Sequence, residues 1–227
     1  MLNLSELTDK VRALAIEAGD FIREERKKFH REAIEKKHAH DYVSYVDKES
    51  EKKIVTRLKE LLPEAGFIAE EGSGTLNDEQ YCWLVDPLDG TTNFIHDNAP
   101  YCVSIALRSK KELLLGVVYE ICRNECFWTY KGAPSYLNGN EIHVSAISNL
   151  DDSFIALGFP YATEEYKPMA NHLVNTLYGN VAGLRLMGAA AVELCYIAAG
   201  RFEHVSKLLL VHGISLQEQL FCKMPEV

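Results

Sequence analysis

Trp83-Leu84-Val85-Asp86-Pro87-Leu88-Asp89-Gly90-Thr91-Thr92-Asn93 is the stretch on which the reading of this chain turns. An apolar run ends in a carboxylate, a proline stiffens the turn, and a second carboxylate follows three residues after the first. Two aspartates held this closely repel each other unless a cation sits between them. Hard divalent ions such as Mg²⁺ take oxygen ligands of this kind. The Gly90-Thr91-Thr92-Asn93 segment is small, rich in hydroxyls and suited to opening a helix, where backbone N–H groups receive anions such as phosphate. The stretch points to metal-dependent phosphate chemistry.

Working outward, Phe67-Ile68-Ala69 and Cys82-Trp83-Leu84-Val85 read as short buried strands, each delivering carboxylates at its C-terminal end, Glu70-Glu71 and Asp86. Glu70-Glu71 alone would read as solvated surface charge. The coincidence of two acidic strand ends, one leading into a phosphate-friendly turn, gives the pair its weight. A haloacid-dehalogenase site, with an aspartate nucleophile, spaces its two aspartates one residue apart; here two residues separate them. That spacing favours carboxylates that grip metals, and attack by water rather than through an aspartyl-phosphate.

Upstream, Leu4, Leu7, Val11, Leu14, Ala15, Ala18 and Phe21 fall at helical spacing, predicting an amphipathic helix over about 5–28. A second helix is expected over about 48–62, stopped by Pro63. Downstream come three strand-like segments, 103–107, 113–121 and 125–130, then a tight-turn signal at Asn138-Gly139. A strand at 154–157 precedes a helix through Met169, Leu173, Val174 and Leu177. A small-residue helix over 189–199 ends at Gly200, a C-terminal cap. Interleaved helices and strands favour a layered α/β sandwich over a barrel.

The 227 residues suffice for one large or two small cores, and 47% of them are hydrophobic. A formal charge of −9 argues against nucleic-acid binding, yet bound Mg²⁺ would reverse the local sign for a phosphate substrate. No apolar stretch is long enough to span a membrane and no signal-peptide pattern opens the chain, so a cytoplasmic protein is expected. The six cysteines (Cys82, Cys102, Cys122, Cys126, Cys195 and Cys222) lack paired metal-ligand spacing and read as buried reduced thiols. His38 and His40 read as solvated.

The run Trp83 to Phe94, the upstream Ile68-Ala69-Glu70-Glu71-Gly72 and Asp41-Tyr42-Val43-Ser44-Tyr45-Val46-Asp47 together resemble the inositol monophosphatase family. Gly116-Val117-Val118-Tyr119 and the stretch from Leu184 to Gly200 match as well. The resemblance implies an α/β fold, a layered αβαβα sandwich, and Mg²⁺-dependent, lithium-sensitive hydrolysis of a small phosphate monoester such as inositol monophosphate by metal-activated water. It implies that Glu70, Asp86 and the Leu88 carbonyl hold one ion and that Asp86 and Asp89 contribute to a second, with Glu70 able to support a third. Glu70 and Thr91 would orient the attacking water, and the Gly90 and Thr91 amides would hold phosphate oxygens. Gly188-Ala189-Ala190 would line the alcohol side of the substrate. Lys36 or Lys37 matches a basic position near the site, and Glu71 is a further candidate. Asp41 and Asp47 are expected in supporting roles. A homodimer is expected, divided into an N-terminal metal- and phosphate-binding domain over 1–140 and a C-terminal α/β domain over 141–227. That second domain is expected to be incomplete, with an atypical tail from about residue 204.

The resemblance breaks after Gly200. The family carries a Trp-Asp-x-Ala-Ala-Gly motif whose aspartate completes the second metal site, and no Trp-Asp pair follows here. Re-reading each codon from Val211 onward with the last base of one and the first two of the next, the segment 212–227 permits Pro-Trp-Asp-Ile-x-Ala-Gly-Ala-Ile-Val-Leu-Gln-Asn-Ala-Gly-Gly. Met224 has a single codon, so with Pro225 it must yield alanine. The expectation is a one-base slip of the reading frame within 203–208. The other reading is a divergent member with an amphipathic tail, Leu216, Leu220 and Phe221 forming one face. Two further function readings stay open: a phosphatase of the same superfamily acting on another sugar or nucleotide phosphate, and a catalytically silent relative lacking the last metal aspartate.

Overall fold

A computed structural model describes residues 2–29, 34–38, 41–72, 80–110, 112–159 and 163–207. Residues 208–227, on which the expectation of an atypical tail and Cys222 both fall, lie outside the described residues, as does His40.

Helix α1 (Leu4–Lys28) starts where the Asn3 side chain accepts the Glu6 N–H, and it buries Leu7, Val11, Leu14, Ala15, Ala18 and Ile22 on one stripe. The hairpin β1 (Ile34–His38) and β2 (Asp41–Ser44) leads into α2 (Tyr45–Leu61). Ser44 and Asp47 form a capping box there, which begins the helix three residues earlier than apolar spacing alone predicts.

A seven-stranded sheet follows: β3 (Ala65–Ala69), β4 (Tyr81–Asp89), β5 (Cys102–Ser109), β6 (Leu113–Glu120), β7 (Glu125–Tyr130), β8 (Tyr136–Leu137) and β9 (Asn140–Glu141), in that order across the sheet. The β3–β4 pair is parallel and the remaining pairs are antiparallel. A single helical turn, α3 (Thr91–Ile95), interrupts the path from β4 to β5. Beyond the sheet lie β10 (Phe154–Gly158), α4 (Thr163–Leu177), β11 (Gly183–Arg185), α5 (Ala190–Ala198) and β12 (His204–Lys207), whose strands pair in parallel in the order β11-β10-β12.

Alternation along the strands explains the stacking. Val103, Ile105 and Leu107 on β5 and Leu115, Val117 and Tyr119 on β6 join the core beneath α1 and α2. Cys102, Val118 and Phe127 point the other way and pack with Val192, Cys195 and Tyr196 of α5. Ala156 and Phe202 close on α5 from its far side, while Ile155 and Leu157 face Leu173 and Leu177 of α4. The succession is helix pair, large sheet, α5, small sheet, α4, which is the αβαβα sandwich that the resemblance implies. Arg201 ties the layers together with a two-pronged ion pair to Glu125 on β7, 2.7 Å in each arm. Gly200 sits at φ +67 just past α5, as expected of a C-terminal cap.

Cys82, Cys102, Cys126 and Cys195 are buried free thiols, and Cys122 is a free but exposed one, against the expectation of burial. No described helix is long and apolar enough to cross a membrane.

Candidate active site

The acidic turn owes its geometry to a β-bulge. Asp86 pairs with Ser104 and Asp89 with Cys102, so three steps along β4 match two along β5. In a regular strand residues three apart point to opposite faces, and the extra residue brings the two aspartates back into phase. Pro87, which has no N–H to give to the ladder, occupies the bulge. The Leu88 N–H turns inward to donate to Asp86 Oδ1 at 3.1 Å, while the Leu88 side chain anchors in the core.

Asp86 is buried, at 6% exposure. Burial first, then Glu70 and Asp89, push its pKa well above the ordinary carboxylate range. Glu70 stands close enough to Asp86 that the two carboxylates oppose each other's charge. Glu70 arrives there because its N–H donates to Val85 O at 3.3 Å, extending the β3–β4 pairing to the residue beside Asp86. Asp89 is drawn toward α5: its Oδ2 accepts the Ala191 N–H at 2.7 Å and faces the Cys102 thiol at 3.7 Å. Burial, with Asp89 and Asp86 behind it, holds that thiol protonated well above its usual range.

Gly90 takes φ +89 at the start of α3, and a Cβ there would lie 2.9 Å from Pro100 O and 3.2 Å from Ala189 Cβ. Thr91 stands at the helix start as expected. Its hydroxyl lies 3.0 Å from both Asp47 Oδ1 and Leu88 O, so the side chain is held by Asp47 rather than by Glu70. Asp47 is itself buried, and its Oδ2 accepts both the Ser44 N–H and hydroxyl. Burial raises its pKa, with the Ser44 and Thr91 bonds opposing.

Gly188-Ala189-Ala190 meets the acidic turn across the seam between the sheets. Asn93 Nδ2 donates to Pro100 O at 2.7 Å and Met187 O at 2.8 Å. Buried Glu193 collects the N–H groups of Met187 and Gly188 at 3.2 Å each. Asn93 belongs to the helix-opening stretch and Glu193 to the small-residue helix, but residue type and spacing assign neither a bracing role. Lys36 and Lys37 lie on β1 and Asp41 opens β2, away from the strand ends that bear Glu70 and Asp86 in sequence but joined to α2 through Ser44.

Among the described residues, no three His, Cys, Asp or Glu side chains converge as a ready-made metal cluster. The donor set nevertheless fits a hard divalent ion. Its side chains are oxygen-bearing, Asp86 is buried, and the two groups facing it are carboxylates that only a cation or a proton reconciles.

Five layers with an acidic, hydroxyl-rich turn at the seam define a class of phosphatase-fold αβαβα sandwiches. The inositol monophosphatase family profile matches residues 3–208, and the chain belongs to that family. Among its relatives, the Nus factor SuhB of Pseudomonas aeruginosa is 38% identical over 176 residues, 75% of this chain and 65% of that protein. The chain thus spans just under two-thirds of that relative's length. A fructose-1,6-bisphosphatase/inositol-1-monophosphatase of Aquifex aeolicus is 32% identical over 203 residues, covering 89% of this chain and 77% of that protein. The crystal structure of the extragenic suppressor protein SuhB from Bartonella henselae superposes with a TM-score of 0.88 at 31% identity, over 94% of this chain and 82% of that one.

Proposed function

We propose that this protein hydrolyses a small phosphate monoester, inositol monophosphate or a closely similar sugar phosphate, with Mg²⁺ and water. The observation that carries the reading is buried Asp86 between two further carboxylates, beside a threonine hydroxyl fixed by a buried aspartate. Glu70, Asp86 and the Leu88 carbonyl would hold one ion, Asp86 and Asp89 a second, and Glu70 a third. Bound Mg²⁺ supplies positive charge for the phosphate and its leaving oxygen and makes water a better nucleophile. The Thr91 proton is committed to Asp47 or Leu88 O, so Thr91 Oγ1 offers lone pairs to the attacking water and orients it together with Glu70. The Gly90 and Thr91 amides would receive phosphate oxygens. Gly188, Ala189 and Ala190 would border the alcohol, with Lys36 or Lys37 and Glu71 at the margin. Lithium sensitivity, a homodimer and a cytoplasmic setting belong to the same reading.

The test is phosphate release from inositol monophosphate with Mg²⁺, with and without Li⁺. Asp86→Asn keeps the shape and removes the charge. Unchanged Mg²⁺ dependence in that variant refutes the assignment. A second reading follows from the name of the 38%-identical relatives, Nus factor SuhB: a role in transcription, although a charge of −9 argues against direct nucleic-acid binding. A variant inactive as a phosphatase that still supports transcription would separate the two.

A further inference from the structure

We propose that Glu51, a buried residue of α2 outside the acidic turn, is a positioning residue that sets Glu70 against Asp86. Glu51 is 1% exposed, and its Oε2 accepts the Glu71 N–H at 2.6 Å. That N–H belongs to the peptide joining Glu70 to Glu71. The Glu70 N–H, on the other side of the same Cα, is bonded to Val85 O. With the preceding N–H tied to β4 and the following peptide tied to α2, the direction of the Glu70 side chain is set from both ends. A carboxylate at a strand end otherwise swings with its loop. A carboxyl group buried on a helix face and bonded to the backbone of a neighbouring strand end holds that backbone in place.

Two neighbours on α2 act in the same direction. Asp47 holds the Thr91 hydroxyl, and the Ser50 hydroxyl reaches Pro87 O at the bulge at 3.4 Å. Residues 47, 50 and 51 share a helix face, so one turn of α2 grips the ends of β3, the β4 bulge and the start of α3. Glu51 differs from Asp47 in that it bonds to the backbone of the strand end rather than to the Thr91 hydroxyl. It acts through the Glu70–Glu71 peptide, and its effect on Mg²⁺ rests on the metal reading above.

Hydrogen exchange and Mg²⁺ binding on the full chain test this, with Glu51→Asp, Glu51→Gln and, as a packing control on the same helix, Ile54→Val. Asp retains the charge but withdraws the acceptor by one methylene, while Gln retains an acceptor at full length. Glu51→Asp should speed exchange of the Glu71 amide and weaken Mg²⁺ binding by about 10–100-fold, the range for removing a group that orients a metal ligand. Glu51→Gln should stay much closer to the parent in both measurements, and Ile54→Val should leave both unchanged. Glu51→Asp with parental Glu71 exchange, or with parental Mg²⁺ affinity, overturns the proposal. So does Ile54→Val weakening Mg²⁺ as much as Glu51→Asp, which would make the effect one of general packing. A parent chain that binds no Mg²⁺ overturns the metal reading instead, and the Glu71 exchange rates still decide whether Glu51 holds the turn.

Discussion

Replacing Gly90 with alanine tests the geometry of the acidic turn most directly. Two separable costs arise. At φ +89 and ψ 33 an L-residue occupies the left-handed region, at about 1–2 kcal/mol. The added methyl would also meet Pro100 O at 2.9 Å, with Tyr101 Cα and Ala189 Cβ each at 3.2 Å. Two of these three atoms are backbone and the third is a short, buried side chain, so none moves cheaply, and crowding of this kind adds about 1–3 kcal/mol. The sum, about 2–5 kcal/mol, lowers the melting temperature by roughly 4–20 °C in a chain of this size. Gly179→Ala supplies the reference. Gly179 has φ +85 but nothing within 4 Å of the position its Cβ would take, so it incurs only the conformational cost. The smaller entropy that alanine loses on folding applies to both variants and cancels in their difference. Urea titration of the two proteins side by side is the assay. If Gly90→Ala is no more destabilised than Gly179→Ala, the close approach of the turn to Pro100 and Ala189 is wrong.

Four further outcomes are expected. Because the folded protein keeps the Asp86 proton beyond the ordinary carboxylate range, the Asp86 contribution to metal-free stability is full below that range and is lost as pH rises through the raised value. Asp86→Asn should flatten that fall, checked by urea unfolding at a series of pH values from about 4 upward. Thr91→Val removes the oxygen held by Asp47 and should lower turnover by about 10²–10⁴-fold with little change in fold, read by phosphate release in a frame-corrected chain. Glu193→Ala strands the Met187 and Gly188 N–H groups and should destabilise by about 1–3 kcal/mol, measured by denaturant midpoint at constant slope. Correcting the reading frame within 203–208 to restore the Trp-Asp segment should raise Mg²⁺-dependent activity; sequencing the gene and assaying both chains checks it.

Much of this architecture could be read from residue order, for reasons that differ element by element. The α1 stripe is a local periodicity, and α1 forms where the stripe places it. Asp86, Asp89, Glu70 and Thr91 announce themselves by residue type and spacing. What spacing cannot reveal is how they are held. The bulge at Pro87-Leu88 exists only relative to β5, since it is a mismatch of register between two strands. Asp47, expected in a supporting role, closes the capping box with Ser44, yet its other oxygen serves Thr91, 44 residues away. Glu51 looks like any charge on an amphipathic helix until β3 brings Glu71 over it. Asp89 meets α5 across 102 residues. Pairing, not apolar pattern, defines the short strands β8, β9 and β11 and the hairpin β1–β2, and of these only the Asn138-Gly139 turn joining β8 to β9 is legible in residue order.

The way the backbone engages the two aspartates bears on which cation the turn would prefer. Asp86 gives Oδ1 to the Leu88 N–H, and Asp89 gives Oδ2 to the Ala191 N–H. Each amide occupies one of the two lone-pair directions on the oxygen it meets, so an ion clasped by both oxygens would have a narrower approach. Calcium commonly takes carboxylates two oxygens at a time within a wide, adaptable shell, whereas magnesium takes single oxygens in a tight octahedron. Backbone hydrogen bonds would thus narrow the directions open to an ion at the two aspartates, favouring the one-oxygen contacts that magnesium takes.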